Sequence, residues 1–249
     1  MVESTPRVTL RFYQELNDFL PPGRRQRDFH HPWQAGSVKD LVESLGVPHT
    51  EIDLILANGR SVDFGYPVQA GDRISVYPVF EALDITPATR LRPRPLRCTR
   101  LVLDCHLGRL AAYLRMLGFD TLYRNDYDDA TLAEISDREQ RILLTCDRKL
   151  LMRKQVTRGY FVRSRRPREQ LREVIRRLDL AHAFQPFTRC MVCNQLLEPV
   201  EKSRVLDQLP PHVRIHQDRF WQCRGCGKIY WKGTHYQRML GWIEKLTDE

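Results

Sequence analysis

The chain has 249 residues and a hydrophobic content of 42%, which allows one large domain or two to three small ones and argues against global disorder. No apolar run reaches the roughly 18 residues that a membrane span needs, and the N-terminal sequence MVESTPRVTL lacks the features of a signal peptide, so we expect no membrane partner and a cytoplasmic location. The net charge of +9 is concentrated in residues 148–177, which carry twelve Lys or Arg against two Glu; this favours binding to an anionic polymer, with solvated helix surfaces as the alternative.

The N-terminal segment predicts a β-grasp fold. Ser37 and Asp40 resemble a capping box at the start of a helix with one apolar face, and Gly46 would end that helix. Asn58-Gly59 predicts a tight turn between two strands. Alternating or continuous apolar residues predict strands at RVTLRFY (7–13), IDLIL (52–56) and RISVYPVF (73–80).

This segment resembles the ubiquitin-like sulfur-carrier domains, chiefly in the stretch LILANGRSVDFGYPVQAGDRISVYPVF. Active sulfur carriers end in a free Gly-Gly, whereas here the chain continues beyond Phe80 without one. We therefore expect a docking module for a protein partner, without thiocarboxylate chemistry and dispensable for catalysis. The expected boundaries are residues 1–84 for this ubiquitin-like domain and 85–97 for a linker that contains three Pro and four Arg.

A second pattern begins at Cys98 and predicts an α/β domain over residues 98–182. Strands and helices alternate along this stretch, which is typical of a parallel sheet. The expected helices are HLGRLAAYLRMLG, ATLAEIS and REQLREVIRRLDL. The expected strands are RLVLD (100–104), FDTLYR (119–124), RILLTCD (141–147) and YFVRS (160–164).

Four acidic residues are expected near one edge of this sheet. Asp104 and Asp147 each end an apolar strand, and Asp128 and Asp129 lie at a helix start after the intervening strand. Ligand sites of parallel sheets form at the carboxyl ends of the strands. Crowded carboxylates require a proton or a cation, and hard oxygen ligands select Mg²⁺ or Mn²⁺. The alternative is that these acids only cap helices or occupy loops, which applies most to Asp128 and Asp129.

The blocks LVLDCHLGRLAAYLRMLGFDTLY, DDATLAEI, RILLTCDRKLL and RCMVCN resemble, in this order, the C-terminal ribonuclease domain named after the Mut-seven exonuclease, a PIN-like family. The resemblance covers residues 98–249, and an N-terminal ubiquitin-like domain is a known companion of this family. It implies a PIN-like fold in which Asp104, Asp129 and Asp147 bind a divalent metal and cut RNA. Asp128 and Glu134 are nearby candidates. Cys146 stands where relatives often carry a basic residue.

The C-terminal segment, residues 183–249, predicts a zinc-ribbon module. Two CxxC pairs, CMVC and CRGC, can supply four thiolates to one Zn²⁺, and four protein ligands leave no open position, so the ion would be structural. A redox disulfide is the alternative. The spacer of 29 residues is longer than usual, so we expect an insertion such as a loop around Pro210-Pro211. The expected ligands are Cys190, Cys193, Cys223 and Cys226.

Two functions are compatible with these features. The first is a metal-dependent ribonuclease that hydrolyses RNA at the Asp cluster, with Arg163, Arg165 and Arg166 of the basic stretch contacting phosphate. The second is a non-catalytic RNA-binding adaptor with a zinc ribbon. The acids favour the first function, because an adaptor has no reason to place carboxylates beside an RNA-binding surface.

Overall fold

The structure is a computed structural model that describes residues 6–78 and 99–247. Within these residues the strands are β1 (Arg7–Phe12), β2 (Phe29–Pro32), β3 (Ile52–Ala57), β4 (Arg60–Val62), β5 (Arg73–Pro78), β6 (Arg100–Leu103), β7 (Asp120–Tyr123), β8 (Ile142–Thr145), β9 (Gly159–Phe161), β10 (Leu197–Val200), β11 (Phe220–Cys223) and β12 (Ile229–Trp231). The α-helices are α1 (Val38–Ser44), α2 (Gly108–Met116), α3 (Asp129–Glu139), α4 (Arg148–Leu151), α5 (Pro167–Arg177), α6 (Lys202–Val205), α7 (Pro211–His216) and α8 (Thr234–Thr247).

The chain divides into two compact units, each built from two separate stretches of sequence. Of the described residues, the first unit combines residues 6–78 and Thr99 with residues 128–161, and the second combines residues 100–127 with residues 162–247. The predicted linker 85–97 and the last two residues of the predicted strand 73–80 lie outside the described residues. In the ranges that are described, every helix is too short or too polar to span a membrane.

A five-stranded mixed sheet forms the N-terminal part of the first unit. Its strand order is β2-β1-β5-β3-β4, with β1 and β5 parallel and the other neighbours antiparallel. Apolar and polar residues alternate along β1, so that Val8, Leu10 and Phe12 are buried in a core that also contains the apolar face of α1. One helix packed on a sheet of this order matches the predicted β-grasp fold.

Local sequence signals set the ends of α1 and the turn between β3 and β4. Ser37 Oγ accepts a hydrogen bond from the Asp40 N–H at 3.2 Å, and Asp40 Oδ2 accepts one from the Ser37 N–H at 3.0 Å, which confirms the capping box. Asn58 and Gly59 have φ values of 51° and 81°, the left-handed conformation that a tight hairpin turn requires at both positions.

Residues 128–161 add two parallel strands and two helices to the first unit. β8 and β9 pair in parallel, with Leu143 opposite Gly159. Helix α3 precedes β8, and the four-residue α4 follows it. A Cβ atom at Gly159 would lie 2.5 Å from Cδ2 of Leu151, so any other residue at this position would force the Leu151 side chain to move.

The second unit contains the parallel pair β6 and β7 together with α2 and α5. Gly118, with a φ of 97°, ends the turn after α2 as predicted. The strand predicted to run to Ser164 ends at Phe161. The reason is that the N–H groups of Arg163 and Ser164 donate to the carboxylate of Glu173 in α5 instead of to a neighbouring strand.

An antiparallel three-stranded sheet, β10-β11-β12, completes the second unit. The expected insertion is present, but it is mostly helical around Pro210-Pro211: Pro211 is the first residue of α7, a position that suits its fixed φ. Helices α6 and α7 therefore form a folded insertion between the two CxxC pairs. This insertion and β11 bury a small apolar cluster of Val205, Leu209, Val213 and Phe220, on which Trp231 packs.

Candidate functional site

Asp147 lies just beyond the C-terminal end of β8, in the first unit. Its side chain is exposed and caps α4, since Oδ1 accepts a hydrogen bond from the Lys149 N–H at 2.8 Å. The Asp147 N–H donates to Oγ1 of Thr145 at 2.9 Å, and Thr145 is fully buried. The backbone of Asp147 is thus tied to the sheet, while the cap uses one of its two carboxylate oxygens.

Asp128 and Asp129 lie at the N-terminus of α3, also in the first unit. Asp128 is the N-cap: its Oδ1 accepts a hydrogen bond from the Thr131 N–H at 2.7 Å, and this bond holds the pKa of Asp128 below its usual range. Asp129 is the first residue of the helix, and its carboxylate lies 3.6 Å from the guanidinium of Arg153. Of the two acids, Asp128 therefore has the capping role.

Asp104 lies at the C-terminal end of β6, in the second unit, and is only 7% exposed. Its carboxylate accepts a hydrogen bond from the His106 N–H at 3.4 Å at the start of a 3-10 turn. The potential ligand atoms of Asp104, Cys105 and His106 lie within 4.8 Å of one another. Hydrogen bonding to Asp104 and burial raise the pKa of the Cys105 thiol, which keeps it protonated at neutral pH.

The four cysteines of the two CxxC pairs form one cluster, as predicted. Their Sγ atoms all lie within 4.8 Å of one another, with Cys190 and Cys226 3.6 Å apart and Cys193 and Cys223 3.2 Å apart. Tetrahedral zinc with Zn–S bonds of about 2.3 Å places its sulfur ligands roughly 3.8 Å from one another. The cluster can therefore hold one Zn²⁺ with little movement of the two turns.

Tyr230 supports the cluster from β12. Its hydroxyl lies 3.1 Å from Sγ of Cys190. Burial raises the pKa of the Cys190 thiol, but the hydrogen bond from Tyr230 and the N–H groups of Cys193 and Val192 outweigh it, so that the pKa falls to about 6. Burial and the contact with Cys190 raise the pKa of Tyr230, which therefore remains a hydrogen-bond donor. These donors favour the thiolate form that a metal requires.

The first cysteine pair is attached to the outer edge of β7 by buried polar side chains. The Arg115 guanidinium of α2 donates to the carbonyl oxygens of Thr121 at 2.9 Å and Val192 at 2.7 Å. Asn194 Oδ1 accepts from the Thr121 N–H at 2.9 Å, and Asn194 Nδ2 donates to Asp120 Oδ1 at 2.8 Å. The first cysteine turn is therefore attached to the edge of β7, where these hydrogen bonds take the place of those that a neighbouring strand would form.

The three arginines predicted to contact phosphate lie before or at the N-terminus of α5. Arg165 and Arg166 are exposed, whereas Arg163 is half-buried. Arg166 is the N-cap residue of α5 and forms an exposed ion pair with Glu169 at 3.2 Å. Two exposed cations at the positive end of a helix form a surface that suits an anion.

Among the described residues, then, the predicted cysteines come together, and the predicted acids occupy strand ends and a helix start in both units. Sequence reasoning missed the role of Arg115 and Asn194, which support the cysteine cluster together with Tyr230. The RCMVCN block contains Asn194, but its bonds to β7 join residues more than seventy positions apart and leave no local signal.

Comparison with known protein families gives two matches. The model of the Mut7-C RNAse domain matches residues 99–243, and the model of the Mut7-C ubiquitin domain matches residues 5–84. The first match spans more than half of the chain and contains all the acids, arginines and cysteines described above. No curated protein matches this chain. No solved structure matches it either.

Proposed function

The chain belongs to the Mut7-C RNAse domain family, and from this premise we propose that it is a divalent-metal-dependent ribonuclease with a PIN-like catalytic domain. The observation that carries the proposal is the position of three acids inside the matched region. Asp104 and Asp147 each follow the C-terminal end of a parallel strand, and Asp129 starts a helix. Side chains at the carboxyl ends of parallel strands are the usual source of ligand sites in such sheets.

Asp104, Asp129 and Asp147 are the proposed ligands of Mg²⁺ or Mn²⁺. Carboxylate oxygens are the donors that these hard cations prefer. A bound divalent ion would activate the attacking water and offset the charge that develops on the scissile phosphate. The chain's own contribution is to fix the acids: the buried Thr145 holds the Asp147 backbone, and the 3-10 turn holds Asp104. We assign Asp128 to capping α3.

The basic stretch 148–177 is the proposed binding surface for the RNA backbone. It carries most of the chain's net positive charge, and Arg163, Arg165 and Arg166 are the predicted phosphate contacts. Each contact that releases a counterion adds to the salt dependence of binding. The four-cysteine module is proposed to be a zinc ribbon with a structural ion, because four protein thiolates leave no position for water or substrate.

An RNA cleavage assay tests the proposal. Labelled single-stranded RNA is incubated with the full-length protein in Mn²⁺, in Mg²⁺ or in EDTA, alongside the variants Asp104→Asn and Asp147→Asn. Because the loss of an outer-shell partner alone costs about 10- to 100-fold, we expect the loss of a direct ligand to cost about 100-fold or more. Asn is also a good N-cap residue, so Asp147→Asn should preserve α4.

Asp126→Asn is the matched control. It also removes one negative charge, from an exposed carboxylate that pairs with Arg124 in the loop before α3, and it should cleave at the wild-type rate. If Asp104→Asn and Asp147→Asn, both shown to be folded, cleaved as fast as the wild type, catalysis at these acids would be excluded. The non-catalytic RNA-binding adaptor would then be the better account of the protein.

A further inference from the structure

The first compact unit joins the ubiquitin-like domain to the stretch that carries Asp147. Residues 6–78 and 128–161 belong to the same unit, and the 3-10 turn His49–Glu51 packs against β9. This turn is buried although it consists of polar residues, with exposures of 6%, 1% and 1%. Burial of a polar turn is unfavourable unless its side chains find partners, and His49 and Glu51 find partners in residues 156–161.

Arg148, the residue after Asp147, contacts two adjacent aromatic rings. Its guanidinium carbon lies 4.9 Å from the ring centre of Phe19 and 5.3 Å from that of Phe161. The two rings pack edge to face with their centres 5.5 Å apart. One ring comes from the ubiquitin-like domain and the other from β9, so the exposed side chain of Arg148 has a cation–π contact with each of them.

His49 forms a second connection. Its Nε2 lies 2.9 Å from the carbonyl oxygen of Val156, and its Nδ1 lies 2.6 Å from Oε1 of Glu43. Both partners are hydrogen-bond acceptors. Val156 is fully buried and follows α4 by five residues, so this bond fixes the return of the chain from α4 to β9.

Glu51 forms the third connection. Its Oε1 accepts a hydrogen bond from the N–H of Phe161 at 2.5 Å, and the residue is 1% exposed. A bond from a backbone N–H to a carboxylate is stronger than one between neutral groups. Phe161 also packs on the apolar core of the ubiquitin-like domain, so the end of β9 is held by both polar and apolar contacts.

We propose that the ubiquitin-like domain is a built-in clamp that positions Asp147, with Phe19, His49 and Glu51 as its positioning residues. The proposal deepens the ribonuclease assignment and rests on it as far as the role of Asp147 is concerned. Helix α4 has only four residues, too few for a helix to be stable by itself. The contacts of Arg148 and of the strand that follows therefore contribute to the orientation of the Asp147 cap. This differs from the expectation that residues 1–84 are dispensable for catalysis.

The test uses the full-length protein with two variants and a matched control. Phe19→Leu keeps an apolar side chain but removes one ring from Arg148, and Glu51→Gln removes the charge from the acceptor of the Phe161 N–H. The control is Phe29→Leu, because Phe29 has the same kind of contact with Arg24, at 5.2 Å, entirely within the ubiquitin-like domain.

Hydrogen–deuterium exchange of residues 148–161 is the first measurement. From the energies of exposed and desolvated cation–π contacts, we expect Phe19→Leu to accelerate exchange in α4 by roughly 2- to 30-fold. Glu51→Gln should accelerate exchange of the Phe161 amide by a similar factor. Phe29→Leu should leave exchange in residues 148–161 unchanged.

The second measurement is RNA cleavage at increasing Mn²⁺ concentration. Because misplacement of a catalytic group by about 1 Å can cost about 100-fold, we expect kcat of Phe19→Leu to fall by about 10- to 100-fold with little change in KM for RNA. The Mn²⁺ concentration for half-maximal rate should rise, and excess Mn²⁺ should restore part of the rate. A loss of stability alone would not move the metal requirement.

Each outcome decides the proposal. Faster exchange together with a lower kcat and a higher Mn²⁺ requirement supports the clamp. Unchanged exchange in both variants overturns it, and so does faster exchange with wild-type kcat and metal requirement. An inactive wild-type protein would instead refute the ribonuclease assignment and the positioning role that rests on it, while the exchange data would still uphold or overturn the contacts themselves.

Discussion

Replacement of Asn194 by Ala should strongly destabilise the second unit. Asn194 is 7% exposed and forms two hydrogen bonds to β7, one from the Thr121 N–H to its Oδ1 and one from its Nδ2 to the Asp120 carboxylate. It also has a φ of 72°, in the left-handed region, which Asn adopts more readily than Ala does. The substitution therefore removes two partners and adds backbone strain at the same residue.

The expected cost is about 3 kcal/mol of unfolding free energy. Thr121 is fully buried, and leaving its N–H without a partner costs about 1–3 kcal/mol. The left-handed conformation adds roughly 1 kcal/mol for Ala relative to Asn. We add nothing for the lost bond to Asp120, because that carboxylate is partly exposed and lies 3.8 Å from Arg189. For a unit of this size, 3 kcal/mol corresponds to a Tm lowered by about 12 °C.

Calorimetry of zinc-saturated protein measures this shift, with Asn194→Gly as the matched variant. Gly also loses both hydrogen bonds but adopts the left-handed conformation without strain, so its Tm should lie about 4 °C above that of the Ala variant. If both variants melted within about 2 °C of the wild type, the bonds from Asn194 to β7 would not hold the cysteine cluster in place. If Ala and Gly melted together but well below the wild type, only the strain argument would be wrong.

Two further predictions concern the metal and the RNA. Elemental analysis should find one zinc per chain, and Cys190→Ser or Cys223→Ser should lose both the zinc and the fold of the C-terminal sheet; a zinc-free protein that is well folded would contradict the four-thiolate site. Replacement of Arg163, Arg165 and Arg166 by Ala should flatten the dependence of log K on log salt by roughly 0.7 per lost phosphate contact. An unchanged slope would assign these arginines to the solvated surface.

Much of the fold could be predicted because the signals are local. The capping box at Ser37, the Asn58-Gly59 turn and the stop at Gly118 are each encoded within a few residues, and the structure confirms them. The sequence is compatible with either a capping or a catalytic role for Asp128. The hydrogen bond that Asp128 accepts from the Thr131 N–H shows that it caps α3. Such features depend on backbone conformation alone, so a single sequence reveals them.

Long-range contacts could not be predicted in the same way. Arg115 reads as an ordinary helix-face arginine, yet it is 4% exposed and binds carbonyl groups of β7 and of the first cysteine turn. His49 and Glu51 lie in a stretch without a motif, and their partners are more than one hundred residues away. The basic stretch can be located from composition. Which of its arginines contact aromatic rings, as Arg148 does, and which lie near the start of α5 depends on tertiary structure.

The first compact unit cannot complete its long-range contacts until late in translation. Glu51 and Phe161 are 110 positions apart, and His49 and Val156 are 107 apart, so the ubiquitin-like domain leaves the ribosome long before its partners do. Contacts at such separations form late, because a long loop must close before they are gained. A nascent chain that stops short of residue 156 would therefore still expose Phe19 and Glu51, which residues 156–161 later cover. This surface would be open to chaperones and proteases only while translation is incomplete.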